Sequence, residues 1–316
     1  MDSDRGPPID IYLDLRDWIY LSRAHHNRPD GAAYLDTFNL ASKAVEEGVA
    51  RFPLSSIHYI ETLNTGDLGR RQRLSETMAV LSRFRTLLDP SVMRDQEIRA
   101  AIERRFGVDL GIPAFPLIGE GSDYAFQVGG YSGFTPQMKK MIASLPARYQ
   151  PSFEAALKEH QRKQLSGEYR PSWRNAKETW LRGADFVIEA LNRADKAFEK
   201  TSRKVRHDKL RIAEAHALLE LAAPFLAAAG VRPEDVDDAW VEGLLDDVPS
   251  IYVVHQFQLA FLDDRNLPRE RNNFADINHV SLAIVACDVV VTEKRWVDLA
   301  TRADLHERFG VNYFRT

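Results

Sequence analysis

Strand-like and helix-like segments alternate at both ends of this chain of 316 residues, and this alternation constrains its fold most strongly. Residues 9–13 form an apolar strand pattern that ends at Asp14, and a helical pattern follows. Near the other end, a helix at residues 277–286 precedes a strand at residues 289–291. Such alternation is typical of a parallel sheet covered by helices on both faces. We therefore predict an α/β fold whose single sheet is formed by segments from both termini.

The part of the chain between these flanks is mainly helical by its apolar spacing. Two long stretches show helical periodicity, with acidic and basic residues placed for surface pairs, at residues 174–200 and 207–229. Residues 119–133 carry many glycines, and we expect a loop there. We accordingly divide the chain into a core that a large helical insertion interrupts, with the core at residues 1–90 and 272–316 and the insertion at residues 91–271.

Local patterns in the N-terminal flank predict three further elements. A short apolar run predicts a strand at residues 52–54. Ser55 is a suitable cap for a helix at residues 56–63. An arginine-rich amphipathic pattern then predicts a helix at residues 68–88.

Composition and charge exclude several classes of protein. Lysine and arginine number 42 against 46 aspartates and glutamates, so the chain lacks the strongly basic body of a dedicated nucleic-acid binder. The single cysteine, Cys287, cannot form an internal disulfide, which fits a reducing cytosol. No signal-peptide pattern and no apolar stretch of about 20 residues is present. We expect a cytoplasmic protein with no membrane contact, and a homo-oligomer is left open.

Two local segments are nevertheless basic. Residues 160–174 interleave cations with aromatic side chains, a composition that suits stacking on unpaired bases, and residues 200–209 are rich in lysine and arginine. Contact with nucleic acid and an ordinary solvated helix surface are both open for these segments.

Acidic residues stand at the ends of several predicted elements. Asp14 and Glu293 follow strands, Asp276 begins a helix, and Glu61 lies beside a buried position of another helix. Ligands collect beyond the carboxyl ends of parallel strands, and clustered carboxylates cannot all ionise without compensation. Mg²⁺ or Mn²⁺ would supply it, because hard cations prefer oxygen ligands. Such a metal can activate water for attack on a phosphodiester.

In this order, the segments resemble the PIN-domain nuclease family. The resemblance covers residues 9–90 and 272–316. It rests on the acid after the first strand, the helix that follows Ser55, the Asp-x-x-His that opens an apolar helix, and the strand that ends in Thr-Glu. It implies clustered acids that bind Mg²⁺ or Mn²⁺ and cut single-stranded RNA. By resemblance, the metal-binding and catalytic acids would be Asp14, Glu61, Asp276 and Glu293.

Two positions depart from the family pattern. Arg16 stands where the family often has Asn or Ser, and Glu293-Lys294 stands where it often has an Asp after the strand threonine. Asp17, one residue beyond Arg16, is a further acid near the site. We predict that substrate phosphate is contacted by Arg71, His279 and Lys294.

Each of these residues also has a purely structural explanation. Asp14 and Asp276 could cap helices, Glu61 could pair with a nearby arginine, and His279 could be a core histidine. The predicted function is a metal-dependent endoribonuclease. The alternatives are a PIN-like scaffold without catalysis that binds RNA or a protein partner, and an acid-cluster phosphohydrolase that acts on small phosphate esters.

Overall fold

A computed structural model describes residues 6–126, 143–144, 146–148, 150–168, 176–197, 200–264 and 266–316. Its strands are β1 (Ile9–Leu13), β2 (Ala50–Arg51), β3 (Arg85–Leu87), β4 (Ile118–Glu120), β5 (Val289–Thr292) and β6 (Asn312–Arg315). Its helices are α1 (Leu15–His25), α2 (Leu35–Glu46), α3 (Ser56–Asn64), α4 (Leu68–Ser82), α5 (Pro90–Phe106), α6 (Ser122–Phe126), α7 (Gln150–Ser166), α8 (Ala176–Ala197), α9 (Arg203–Ala228), α10 (Asp238–Asp247), α11 (Pro249–Asp263), α12 (Arg271–Ala286), α13 (Lys294–Arg302) and α14 (Leu305–Phe309). None of the helices in the described ranges combines the length and the apolar character that crossing a membrane requires.

Four parallel strands form the main sheet, in the order β2-β1-β5-β6. Two of them come from the N-terminal flank and two from the C-terminal flank, so both ends of the chain contribute to one sheet. The predicted α/β class and the helix-flanked parallel sheet are thereby confirmed. β3 and β4 form a separate antiparallel pair.

The two central strands bury side chains on both faces of the sheet. Tyr12 is in register with Val290, and both belong to a core formed with α11, α12 and α13. Leu13 is in register with Val291, and both contact a second core formed with α1, α2, α3 and α4. Successive side chains of a strand point to opposite faces, so this alternation places helices on both sides of the sheet.

The core on the Tyr12 side crosses all three segments into which we divided the chain. It contains Tyr12 and Leu87 from residues 1–90, Phe257 from the helical middle, and Trp296 from the C-terminal flank. The rings of Phe257 and Trp296 lie 5.7 Å apart. A third core consists of middle-segment helices alone, α5, α9 and α10. The division into domains stays a prediction, but the described part of the middle segment shares its packing with the sheet.

Local structure corrects two predictions in the N-terminal flank. The short strand comes two residues early, at Ala50–Arg51, and Leu54 instead pairs with Thr86 of β3. The helix predicted at residues 68–88 ends at Ser82, because Arg83 and Phe84 adopt positive φ angles of 49° and 59°. Helical geometry cannot continue through left-handed residues, so the chain turns there and enters β3.

The glycine-rich segment at residues 119–133 is only partly described, and its first part is not a loop. β4 covers Ile118–Glu120, α6 covers Ser122–Phe126, and residues 127–133 lie outside the described ranges. A Cβ on Gly119 would lie 2.5 Å from the Tyr124 ring. This glycine therefore permits a close approach of backbone and ring, a packing role that composition alone does not distinguish from a loop.

Replacement of Trp296 by alanine tests how strongly the middle helices are tied to the sheet. Trp296 is buried against Phe257 and Phe261 of α11. We expect Trp296→Ala to lower the free energy of unfolding by about 3–5 kcal/mol, as loss of a large buried aromatic does. Phe186→Ala, at an exposed position of α8, should change it by less than about 0.5 kcal/mol. Equal effects in urea unfolding would contradict this account of the core.

Candidate functional site

An open pocket of about 380 Å³ lies where the carboxyl ends of β1 and β5 meet. Four carboxylates line it, and they come from β1, α3, α12 and β5 or the residues directly after them: Asp14, Glu61, Asp276 and Glu293. The remaining lining residues are on α1: Leu15, Arg16, Ile19, Tyr20 and Arg23. We call this the acid pocket. All four acids singled out in the sequence line it.

Asp14 is fixed by contacts with β5 as well as with its own helix. Its backbone N–H donates to the carbonyl of Val291 at 3.0 Å, which continues the β1–β5 pairing. The hydroxyl of Thr292, itself buried, donates to Asp14 Oδ2 at 3.1 Å. Oδ1 accepts from the N–H of Arg16 at 3.4 Å and caps α1. The capping role and the place in the pocket are therefore compatible, because each uses a different oxygen.

His58 fixes the helix that carries Glu61 to the end of β1. Its Nδ1 accepts from the N–H of Ser55 at 2.9 Å, so Nε2 carries the proton and donates to the carbonyl of Leu13 at 2.9 Å. Burial lowers the pKa of His58 to about 3, which keeps the ring neutral. The ring thus joins the start of α3 to the residue before Asp14. Glu61, one turn further along α3, is held at the same edge of the sheet.

Asp276 does not begin its helix, and this corrects the prediction. α12 starts at Arg271 with Glu270 as its N-cap residue, so Asp276 lies in the second turn and cannot cap the helix. Burial, together with the charges of Asp14 and Glu293, raises its pKa to about 7, while the charge of Arg295 acts in the opposite direction. A carboxyl with so high a pKa is a group that a bound cation would stabilise.

A cation already accompanies Glu293, but it is not the neighbour that the sequence indicates. Arg295 places Nη2 at 3.6 Å from Glu293 Oε2, and only a quarter of its side chain is exposed. Lys294 instead places Nζ at 3.7 Å from Asp298 on the outside of α13. Arg295 therefore compensates part of the negative charge in the acid pocket.

The three predicted phosphate contacts are not among the lining residues of the acid pocket. Arg71 lies near the turn after α7, with Nη1 3.5 Å from where a Cβ on Gly167 would stand. His279 is buried and lines a different cavity beside Ser250, and burial lowers its pKa to about 3. Lys294 points along α13 to Asp298. The structure therefore does not bring these three residues to the acid pocket, because side-chain direction, rather than distance along the chain, decides which cavity a residue reaches.

α1 forms a cationic and aromatic side of the pocket, of which only Arg16 had been singled out in the sequence. Arg16, Tyr20 and Arg23 follow one another at helical spacings of four and three residues, so they share a face of α1. The guanidinium carbons of Arg16 and Arg23 lie 5.7 and 5.4 Å from the Tyr20 ring centre, and Tyr34 stacks on that ring at 4.5 Å. In the sequence, the helical spacing of these three residues could have predicted that they share one face.

Asp17 does not line the acid pocket, although it follows Arg16. Its Oδ2 is buried and has no hydrogen-bond partner within the described part of the chain. Burial, together with the charge of Asp14, raises its pKa to about 7. Asp17 is therefore a partly buried acid close to Asp14 that does not line the pocket.

Several cations of the two basic segments are already paired with carboxylates. Arg162 donates to Glu159 at 2.8 Å and to Glu168 at 3.3 Å. Arg203 and His207 both contact Asp263. Residues 169–174 of the first segment lie outside the described ranges. In the described part, this pairing is typical of a solvated helix surface.

The donor atoms of the acid pocket suit a hard divalent cation, but its carboxylates are not positioned to coordinate one together. All four candidate ligands are carboxylates, the donors that Mg²⁺ and Mn²⁺ prefer. Yet among the described residues no three His, Cys, Asp or Glu side chains are grouped closely enough to hold a metal ion. Binding would therefore require the carboxylates to turn toward one another, with Asp14 as the fixed member.

Comparisons with known proteins found no relative of this chain. No protein-family model, no curated protein and no solved structure matches the chain. Any functional conclusion therefore rests on the geometry of the acid pocket and on the residue pattern.

The titration of Asp276 gives a first test of the site. Its folded-state pKa of about 7 lies above the ordinary 3.8, so the folded state holds this proton more tightly. The protonated group therefore does not disfavour folding below the unfolded-state pKa, and the free energy of unfolding falls as the pH rises from the unfolded-state pKa to the folded-state pKa. With chelator present, we expect the stability of Asp276→Asn relative to the parent to rise by about 2–4 kcal/mol between about pH 4 and pH 8.

Urea unfolding at both pH values measures this difference. Glu46→Gln, which removes an exposed carboxylate from the last turn of α2, should show no such change with pH. An Asp276→Asn difference that is the same at both pH values would show that this carboxylate is not buried among other acids.

Proposed function

We propose that this chain is a metal-dependent phosphodiesterase, an endoribonuclease of the PIN-like type that acts on single-stranded RNA. The observation that supports this proposal is the convergence of four carboxylates on one open pocket at the carboxyl ends of parallel strands. The four residues are separated by up to 279 positions in the sequence, so their proximity along the chain does not explain the grouping. A pocket of this kind is the usual place for a ligand in an open parallel sheet.

The proposed metal ligands are Asp14, Glu61, Asp276 and Glu293. Mg²⁺ or Mn²⁺, when bound, would activate water and stabilise the leaving oxygen of a phosphodiester. Within the chain, Thr292 orients one oxygen of Asp14, and Asp276 can exchange a proton near neutral pH because its pKa is about 7. Arg16 is exposed at the rim, where it can contact a phosphate oxygen.

The choice of RNA comes from the resemblance to PIN-domain nucleases. An exposed strand of nucleotides can reach an open pocket, whereas small phosphate esters are usually enclosed more completely by their sites. Single-stranded DNA and an aryl phosphate are therefore the comparison substrates that test this choice.

Substitution of the acids tests the proposed activity. We expect Asp14→Asn and Asp276→Ala each to slow Mn²⁺-dependent cleavage of labelled single-stranded RNA by at least about a hundredfold, because each removes a ligand that stabilises transition-state charge. Asn at position 14 retains an oxygen that can cap α1. Asp36→Asn, which changes an exposed first-turn carboxylate of α2, should cut like the parent. Parent-like cleavage by both site variants would refute the assignment.

A second candidate function is a PIN-like scaffold without catalysis that binds RNA or a protein partner. The observation that favours it is that the acids of the described chain are not grouped closely enough to hold a metal, while Arg295 already lies beside Glu293. In such a scaffold, Arg295 would serve as the permanent counter-charge of the pocket.

Calorimetry with Mn²⁺ separates the two candidates. The nuclease predicts saturable Mn²⁺ binding to the parent near neutral pH that is lost in Asp276→Ala. It also predicts proton release on binding, because the metal displaces the proton that Asp276 holds at a pKa of about 7. Absence of metal binding by the parent would favour the scaffold.

A further inference from the structure

A second pocket, of about 360 Å³, adjoins the acid pocket and carries the opposite charge. Four arginines line it: Arg23, Arg28, Arg70 and Arg73. The two pockets share Ile19 and Arg23, so they are continuous along one face of α1. We call this second pocket the arginine groove.

Two helices position the cations of the arginine groove. Arg23 lies in the last turn of α1 and Arg28 just beyond it. Arg70 and Arg73 are three residues apart near the start of α4, on one face of that helix. α1 and α4 pack together through a shared core that includes Trp18, Leu21, Leu74 and Met78. The groove is therefore a fixed surface feature, formed between two packed helices.

The positive charge of the groove is only partly compensated. Asp30 is the one carboxylate among its described lining residues, and it lies 3.4 Å from Arg23 Nε and 3.7 Å from Arg28 Nε. Neither Arg70 nor Arg73 forms an ion pair with a carboxylate in the described part of the chain. Arginines gathered with too few acids repel one another, and an anionic ligand would relieve that repulsion.

The chemistry of the lining identifies the class of anion. Guanidinium groups present planar forks of N–H donors that match phosphate oxygens. The side chain of Ser22, which also lines the groove, adds a hydroxyl suited to the same oxygens, whereas the Thr65 hydroxyl already donates to the carbonyl of Glu61 at 3.4 Å. Among the residues that the structure describes, the aliphatic side chains lining the groove are Ile19 and Leu74, and no aromatic ring lines it, so these residues offer no platform for stacking a base.

We propose that the arginine groove binds backbone phosphates of a single-stranded polynucleotide, next to the phosphate held at the acid pocket. This inference rests on the proposed nuclease function and extends it to the path of the substrate. A strand that leaves the acid pocket passes Arg23 and enters the groove directly. Contacts of this kind position a strand without reading its sequence.

Removal of Arg70 and Arg73 tests the proposal through the salt dependence of binding. The affinity of labelled single-stranded RNA is measured by fluorescence anisotropy in chelator, so no cleavage occurs. Loss of two phosphate contacts should make the log–log salt slope of Arg70→Gln/Arg73→Gln shallower by about 1.4. The affinity ratio of parent to variant should accordingly fall about sevenfold between about 50 and 200 mM salt.

Three further variants control this experiment. Arg104→Gln/Arg105→Gln removes the same charge from exposed arginines outside both pockets, and its slope should equal that of the parent. Arg70→Lys/Arg73→Lys retains the charge and should retain most of the slope. Asp30→Asn removes the one carboxylate of the groove and should tighten binding. A slope in the glutamine variant equal to the parent's overturns the proposal, as does an equal change in the control pair.

Cleavage in Mn²⁺ distinguishes failure of this proposal from failure of the proposed function. If the parent binds RNA with an arginine-dependent slope but does not cut it, the groove stands and the nuclease fails. If the parent cuts RNA and the KM of the glutamine variant equals that of the parent, the nuclease stands and the groove fails. Selective binding of an acidic peptide rather than RNA to the groove would also overturn the proposal.

Discussion

The parallel pairing of β1 with β5 is the interaction on which the rest of the structure depends. It brings together residues 278 positions apart, and the hydroxyl of Thr292 then fixes the carboxylate of Asp14. Closing so long a loop costs conformational entropy, which packing on both faces of the two strands must offset. Tyr12 and Val290 anchor one face, and Leu13 and Val291 anchor the other. Because the pairing fixes where two strands end, it also fixes where the acid pocket forms.

The acid pocket and the arginine groove place opposite charges side by side without cancelling them. Burial and the neighbouring carboxylates raise the pKa of Asp276 to about 7, and Arg295 compensates only part of this charge. Arg70 and Arg73 of α4 line the adjoining groove instead. Charges kept apart in this way oppose folding slightly, and the cation and the anionic strand that we propose as ligands would each neutralise one of them.

Local sequence patterns predicted several elements correctly, but they did not predict which way individual side chains point. Apolar spacing predicted β1 and most of α1. Asp14, Asp276 and Glu293 were chosen because they stand near predicted element ends, and Glu61 because it lies beside a buried helical position. The start of α12 was predicted too late, at Asp276, because its polar first turns carry little apolar periodicity. His279, one turn beyond Asp276, reaches another cavity. Arg295 rather than Lys294 accompanies Glu293, because helix rotation at α13 turns the lysine outward.

The sequence by itself determined the α/β class, the contribution of both termini to the sheet, and the acids at the strand ends. These follow from periodicity and from the order of elements, which act over a few residues. Only the tertiary structure decided the strand order, the packing of the middle helices on the sheet, and the meeting of Arg23 with Arg70 and Arg73 in one groove. Those features depend on how helices rotate and pack against one another, and that is set by side-chain volumes distant in sequence.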